Sequence, residues 1–325
     1  MSVHGDPWDD PGTAWAAWVE ALLNGAVGDY LRDSGNPLAT EMAFYHRHQP
    51  LTLSRDVLRD AFPHATAKIC ILVHGLGCNE GVWTYPEPHG SAGEATYGHL
   101  LERDLGFTSF SVRYNSGLAL EENGARLAML FDELLAAYPV PVEEIVLIGH
   151  SMGGLVLQSA GHSGLDRHSP WVRHVRRVFY LGTPHDGADL EKLGHATTTV
   201  LRAAPNPITA LVADVIDQRS RGVKDLRTGA PLRAEDAPGA GHQPTHRRGI
   251  PWLSHARHYL IVGSLTTDPK HAASVVFGDG LVRHRRPTSR DPHTEHVRIL
   301  PGVHHLGLAH DPRVYDTIRE WCQEA

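Results

Sequence analysis

The stretch of this 325-residue chain best suited to chemistry is Gly149-His150-Ser151-Met152-Gly153. One residue on each side separates Ser151 from a glycine, and the apolar run Ile145–Ile148 leads straight into it. Small residues permit a tight strand–turn–helix that lifts a serine hydroxyl above a sheet edge. The N–H groups at the start of the following helix then favour developing negative charge. The bland alternative is a glycine-rich turn with a serine cap, and what lies downstream weighs against it. A serine nucleophile needs a histidine to take its proton and a carboxylate to orient that histidine, and on such a turn the chain order is Ser, Asp or Glu, His. Asp279 lies between two glycines in FGDGLVRH. Asp268, in TTDPK, precedes a proline and reads as a turn residue. Three histidines compete in LPGVHHLGLAHDPRVY. His305 is favoured because Leu306 and Leu308 follow it as apolar anchors, His304 is the runner-up, and His310, beside Asp311-Pro312, reads as part of a helix cap. An oxyanion hole would take one N–H from Met152 and a second from the loop His74-Gly75-Leu76-Gly77, where Leu76 is the candidate. That loop contains neither GxGxxG nor GxxxxGKS/T, so dinucleotide or nucleoside triphosphate binding is not expected.

These residues need elements to hold them. Strand-like runs occur at 68–73, 107–113, 143–148, 176–181, 258–263 and 296–300, and helical periodicity at 93–104, 119–137, 151–161 and 311–323. Apolar strands alternating with amphipathic helices predict an α/β fold with a doubly wound, mostly parallel sheet. Residues 13–32 form a further helix, with Trp15, Trp18, Val19, Leu22, Val27, Tyr30 and Leu31 at helical spacing. The alternation fails from about 187 to 255, where a helical stretch gives way to Gly-, Pro- and Arg-rich sequence. A long irregular segment inside a domain reads as a lid or binding insertion. The expected organisation is an N-terminal helical extension over 1–67 packing on the core, a core of 68–186 with 256–325, and a cap over 187–255.

Composition narrows the function. With 41% apolar and 21% charged residues the chain is globular, and a net charge of −7 gives nucleic-acid binding little support. Histidine is abundant, at 24 residues. The acidic N-terminus does not resemble a secretory signal, and no run approaches the ~20 apolar residues that span a bilayer. Cys70, Cys78 and Cys322 are scattered without a CxxC, which predicts a reducing, cytoplasmic setting. His242, His246, His255 and His258 cluster in sequence but lack HExxH or other ligand spacing, so no metal is expected.

Taken together, VHGLG at 73–77, RYNSG at 113–117, GHSMGG at 149–154, LGTPHDGAD at 181–189, GDGLV at 278–282 and GVHHLGL at 302–308 make the chain resemble a bacterial serine esterase or lipase of the α/β-hydrolase superfamily. More narrowly it resembles the PGAP1-like group related to GPI inositol-deacylases, over roughly residues 70–325. The resemblance implies hydrolysis of carboxylic esters, including small-molecule or lipid esters, by a triad Ser151–Asp279–His305 with Leu76 and Met152 as oxyanion donors. It implies no cofactor, and it places His74 and His185 beside the site in supporting or packing roles. Acyl transfer, or amide or thioester hydrolysis, would use the same triad. A non-catalytic reading would make the Trp15/Trp18 helix a membrane-surface anchor, with peripheral membrane contact. Glu20, Asp29 and Asp33 on that helix favour packing on the domain instead.

Overall fold

The computed structural model describes residues 11–85, 95–185, 252–264 and 296–324. Eight strands form one sheet: β1 (Ala43–His46), β2 (Gln49–Pro50), β3 (Lys68–Val73), β4 (Thr108–Arg113), β5 (Glu144–His150), β6 (Val175–Leu181), β7 (Arg257–Ser264) and β8 (His296–Pro301). Their order is β2-β1-β4-β3-β5-β6-β7-β8. From β4 to β8 every neighbouring pair is parallel, while β1 runs antiparallel to both β2 and β4.

Alternation along β3 explains the layering. Ile69, Ile71 and Val73 join one buried cluster, and Cys70 and Leu72 join another. Successive strand residues face opposite sides, so each cluster occupies one face of the sheet. The first cluster takes Leu127 and Phe131 from α4 (Leu120–Ala137) and Leu155 and Val156 from α5 (Met152–Asp166). The second takes Leu101 from α3 (Tyr97–Leu105) and Ile318 and Trp321 from α6 (Pro312–Gln323). Strands covered on both faces have to be apolar throughout, which is why β3 and β5 read as continuous hydrophobic runs.

The N-terminal helix α1 (Pro11–Asp33) leaves helical geometry at Val27, with φ −139° and ψ 26°. Its buried residues include Leu22, Ala26 and Leu31, whereas Trp15, Trp18 and Tyr30 are exposed. It packs on the loops that leave the carboxyl ends of β3 and β4. A Cβ on Gly28 would stand 1.8 Å from Asn115 Oδ1, and one on Gly25 would stand 2.8 Å from Gly77 Cα. Asn115 Nδ2 donates to the Gly28 carbonyl at 2.9 Å. Between α1 and β3 the chain also forms α2 (Arg55–Ala61), capped by Ser54, whose side chain accepts the Val57 N–H. No described helix is long and apolar enough to cross a membrane.

Candidate active site

Ser151 sits at the junction of β5 and α5 with φ 53° and ψ −126°. Side chains avoid this quadrant because Cβ crowds the backbone, and residues held there cost about 1–3 kcal/mol. Two hydrogen bonds hold the turn. The Ser151 N–H donates to the Leu181 carbonyl at 2.8 Å, and the Gly154 N–H donates to the Ser151 carbonyl at 3.1 Å. The glycines let the turn close, since a Cβ on Gly153 would stand 2.2 Å from the Val73 carbonyl oxygen and 2.4 Å from that of His74. Met152 begins α5 and is buried. Its N–H therefore belongs to the first turn, where backbone donors have no carbonyl of their own helix to bond.

The loop after β3 runs beside this turn. A Cβ on Gly75 would stand 2.9 Å from Ser151 Cβ, so Leu76 follows directly on a residue packed against Ser151. Leu76 is buried, and Gly77 takes φ +67°. Just beyond the loop, Glu80 is buried against Arg113 from the end of β4, with Arg113 Nε 2.7 Å from Glu80 Oε2, and His48 Nδ1 lies 3.2 Å from Glu80 Oε1. Burial alone would raise the Glu80 carboxyl, but hydrogen bonds from His48 and Arg113, with the charge of Arg113, hold it down at about 2.

The third element is the loop between β8 and α6. His305 is buried and His304 exposed. The ring of His304 accepts the Gly307 N–H on Nδ1 at 3.1 Å, a local turn bond. The ring of His305 faces the end of β6, where a Cβ on Gly182 would stand 3.0 Å from its Nδ1 and Cε1 atoms. Leu181, the neighbour of Gly182, is the residue whose carbonyl receives the Ser151 N–H. His150 ties the two sides together, with Nε2 3.0 Å from the His305 carbonyl oxygen and ring centroids 5.1 Å apart. Val303 and Leu308 anchor the loop in the core, whereas Leu306, expected to share that work, is exposed. The helix cap is Asp311, whose side chain accepts the Arg313 N–H. His310 instead lies with Nδ1 3.0 Å from the Val82 carbonyl oxygen.

The fold thus gathers Ser151, Met152, the Leu76 loop and His305 at the carboxyl ends of β3, β5, β6 and β8. Asp279, Asp268 and the segment 187–251 lie outside the described residues. His185 is packed edge-on to Tyr180 at 4.9 Å and is pushed down to about 3 by burial, which keeps its ring neutral. Among the described histidines of the 242–258 cluster, His255 and His258 place Nε2 2.9 Å and 3.0 Å from the carbonyl oxygens of Val172 and Leu253. His150 carried no individual signal in the sequence beyond its place next to Ser151, because its partner is 155 residues away.

The family model described as the PGAP1-like alpha/beta domain matches residues 92–206, about a third of the chain, spanning α3 to β6 and including Ser151. No curated protein matches the chain. Among solved structures, the mature lipase BlEst2 of Bacillus licheniformis is 18% identical, with 78% of this chain and 90% of that one covered at a TM-score of 0.48. The Pyrococcus furiosus esterase Pf2001 is 12% identical, covering 80% of this chain and 82% of its own at 0.46. Naproxen esterase from Bacillus subtilis is 13% identical, covering 79% and 84% at 0.37.

Proposed function

We propose, starting from an α/β-hydrolase fold with a PGAP1-like stretch across its centre, that this protein is a serine hydrolase that cleaves carboxylic esters through an acyl-enzyme. The observation that carries the reading is Ser151. It is held at φ 53° on a strand–turn–helix, with the glycine loop against its Cβ and a buried histidine across the Leu181–Gly182 corner. A folded chain pays for such a backbone where the hydroxyl must stand clear of its own helix.

In this reading His305 takes the proton of Ser151 as Oγ attacks the ester carbonyl carbon. The carbonyl oxygen becomes an oxyanion and is held by the N–H groups of Leu76 and Met152, each worth about 3 kcal/mol in such a site. The tetrahedral intermediate collapses, the C–O bond to the alcohol breaks, and His305 returns its proton to the departing oxygen. Water, deprotonated by the same histidine, then attacks the acyl carbon and releases the acid and Ser151. Asp279 is assigned the carboxylate that orients His305. No cofactor enters any step. Substrate choice falls to residues around this machinery, with the 187–255 segment as the cap, and the class is a small-molecule or lipid ester.

The test is turnover of p-nitrophenyl esters from acetate to palmitate by wild type and Ser151→Ala. A fall of about 10⁴–10⁶-fold in kcat is expected, the scale on which serine nucleophiles are lost elsewhere. Equal turnover by the two proteins would refute the assignment. Added alcohols or amines that outcompete water for the acyl group would replace hydrolysis by acyl transfer.

A further inference from the structure

The loop after β3 is held in place by side chains from another loop. His74 is fully buried, and its ring stacks on that of Tyr114 with centroids 4.4 Å apart. Its Nε2 accepts the Tyr114 backbone N–H at 3.4 Å. The ring proton is therefore on Nδ1, which lies 2.9 Å from the Gly75 carbonyl oxygen and donates to it. Burial lowers His74 to about 4, so the ring keeps this neutral form through the neutral pH range. The Tyr114 hydroxyl donates in turn to the His74 carbonyl at 2.8 Å. On the other side of Leu76, the Gly77 N–H donates to Ser116 Oγ at 2.9 Å, and Ser116 is buried. Tyr114 and Ser116 both belong to the RYNSG stretch that leaves β4.

Both peptides that flank Leu76 are thus pinned, one by its carbonyl and the other by its N–H. A trans peptide carries its C=O and N–H on opposite sides. Holding the Gly75 carbonyl on the His74 ring turns the Leu76 N–H away from that ring. Without the His74 donor the Gly75 carbonyl keeps only a longer bond, from the Cys78 N–H at 3.3 Å, and the backbone at Gly75 turns more easily than at other residues because glycine has no Cβ to oppose it. A flipped peptide would present a carbonyl oxygen where the oxyanion forms.

We propose that His74 and Ser116 are positioning residues that fix the Gly75–Leu76–Gly77 turn with the Leu76 N–H facing the oxyanion. The assignment rests on the serine-hydrolase reading above. Neither residue touches the substrate, so ground-state binding should not depend on them. Transition-state stabilisation should.

The experiment compares wild type, His74→Phe and Ser116→Ala with p-nitrophenyl butyrate and with phenylboronic acid, which adds to a serine oxygen as a tetrahedral mimic. Phenylalanine retains the stacking on Tyr114 but neither the donor to Gly75 nor the acceptor for the Tyr114 N–H. Losing an oxyanion donor outright costs about 10²–10³ in kcat, and loosening one should cost about 10–100-fold. Expected are kcat values lowered by that amount, KM within about twofold of wild type, and boronate affinity falling in step with kcat/KM. A role confined to packing would lower thermal stability and leave kcat of the folded variant unchanged. If His74→Phe does not fold, Ser116→Ala, a loss of one oxygen, decides. Ser151-dependent turnover that survives in the folded variants sinks this proposal alone. Turnover that survives Ser151→Ala sinks the hydrolase reading and this proposal with it.

Discussion

The strain at Ser151 makes a prediction that separates catalysis from folding. Its backbone, at φ 53° and ψ −126°, occupies a region that glycine enters freely and that costs other residues about 1–3 kcal/mol. With ψ so far from the left-handed helical well, the upper half of that range applies. Ser151→Ala removes the hydroxyl and keeps Cβ, so it keeps the strain. Ser151→Gly removes both. Against the relief stand glycine's freer unfolded chain, about 0.5–1 kcal/mol, and the loss of one buried carbon, about 0.8 kcal/mol. The balance favours the glycine variant by about 1 kcal/mol over alanine, a midpoint roughly 1–2 °C higher for a chain of this size. Both variants should be inactive. Urea unfolding of the two, with equal slopes, measures the difference directly. An alanine variant as stable as the glycine variant, or more so, would refute the claim that this turn stores strain for the sake of the hydroxyl.

Three further outcomes follow from the same geometry. Gly153→Ala places a methyl 2.2 Å from the Val73 carbonyl oxygen and 2.4 Å from that of His74; it should lower stability by about 1–3 kcal/mol and displace the turn enough to abolish activity, as read by unfolding and ester turnover. Glu80→Gln leaves the half-buried Arg113 without its charge partner, and a loss of about 1.5–3 kcal/mol, the scale of hydrogen bonds to charged groups, is expected in equilibrium unfolding at pH 7. Because the folded Glu80 titrates near 2 against an ordinary 4.5, its contribution is present above pH 4.5 and disappears as pH falls towards 2; unfolding free energies measured across that window should converge for wild type and Glu80→Gln. Trp171→Ala, at a fully buried ring set edge-on to Phe131 at 4.9 Å, should cost about 3–5 kcal/mol in the same assay with KM unchanged.

How much of this could be read from the chain depends on the distance over which each feature is determined. The central strands were legible because burial on both faces demands an apolar run, and 68–73 matches β3 at both ends. The hairpin of β1 and β2 was not. Its strands have four and two residues, and its turn uses Arg47 and His48 at φ 47° and 60°, positions where Asn-Gly would have announced it. The strand–turn–helix at Ser151 was legible because its requirements are local: small residues on each side of one serine, straight after a strand. The loop after β3 was half legible, since its glycines are local while its pins, His74 to Tyr114 and Gly77 to Ser116, bridge 40 and 39 residues. The choice between His304 and His305 shows the limit most sharply. The two are adjacent and chemically identical, and apolar neighbours were the only guide in the sequence. Leu308 is buried as expected while Leu306 is exposed, so only half of that local argument holds. What separates them is tertiary: the backbone turns His304 outward to bond its own loop and sets His305 against the end of β6. Residue type states what a side chain can do, and the packing of distant segments decides which copy is in a position to do it.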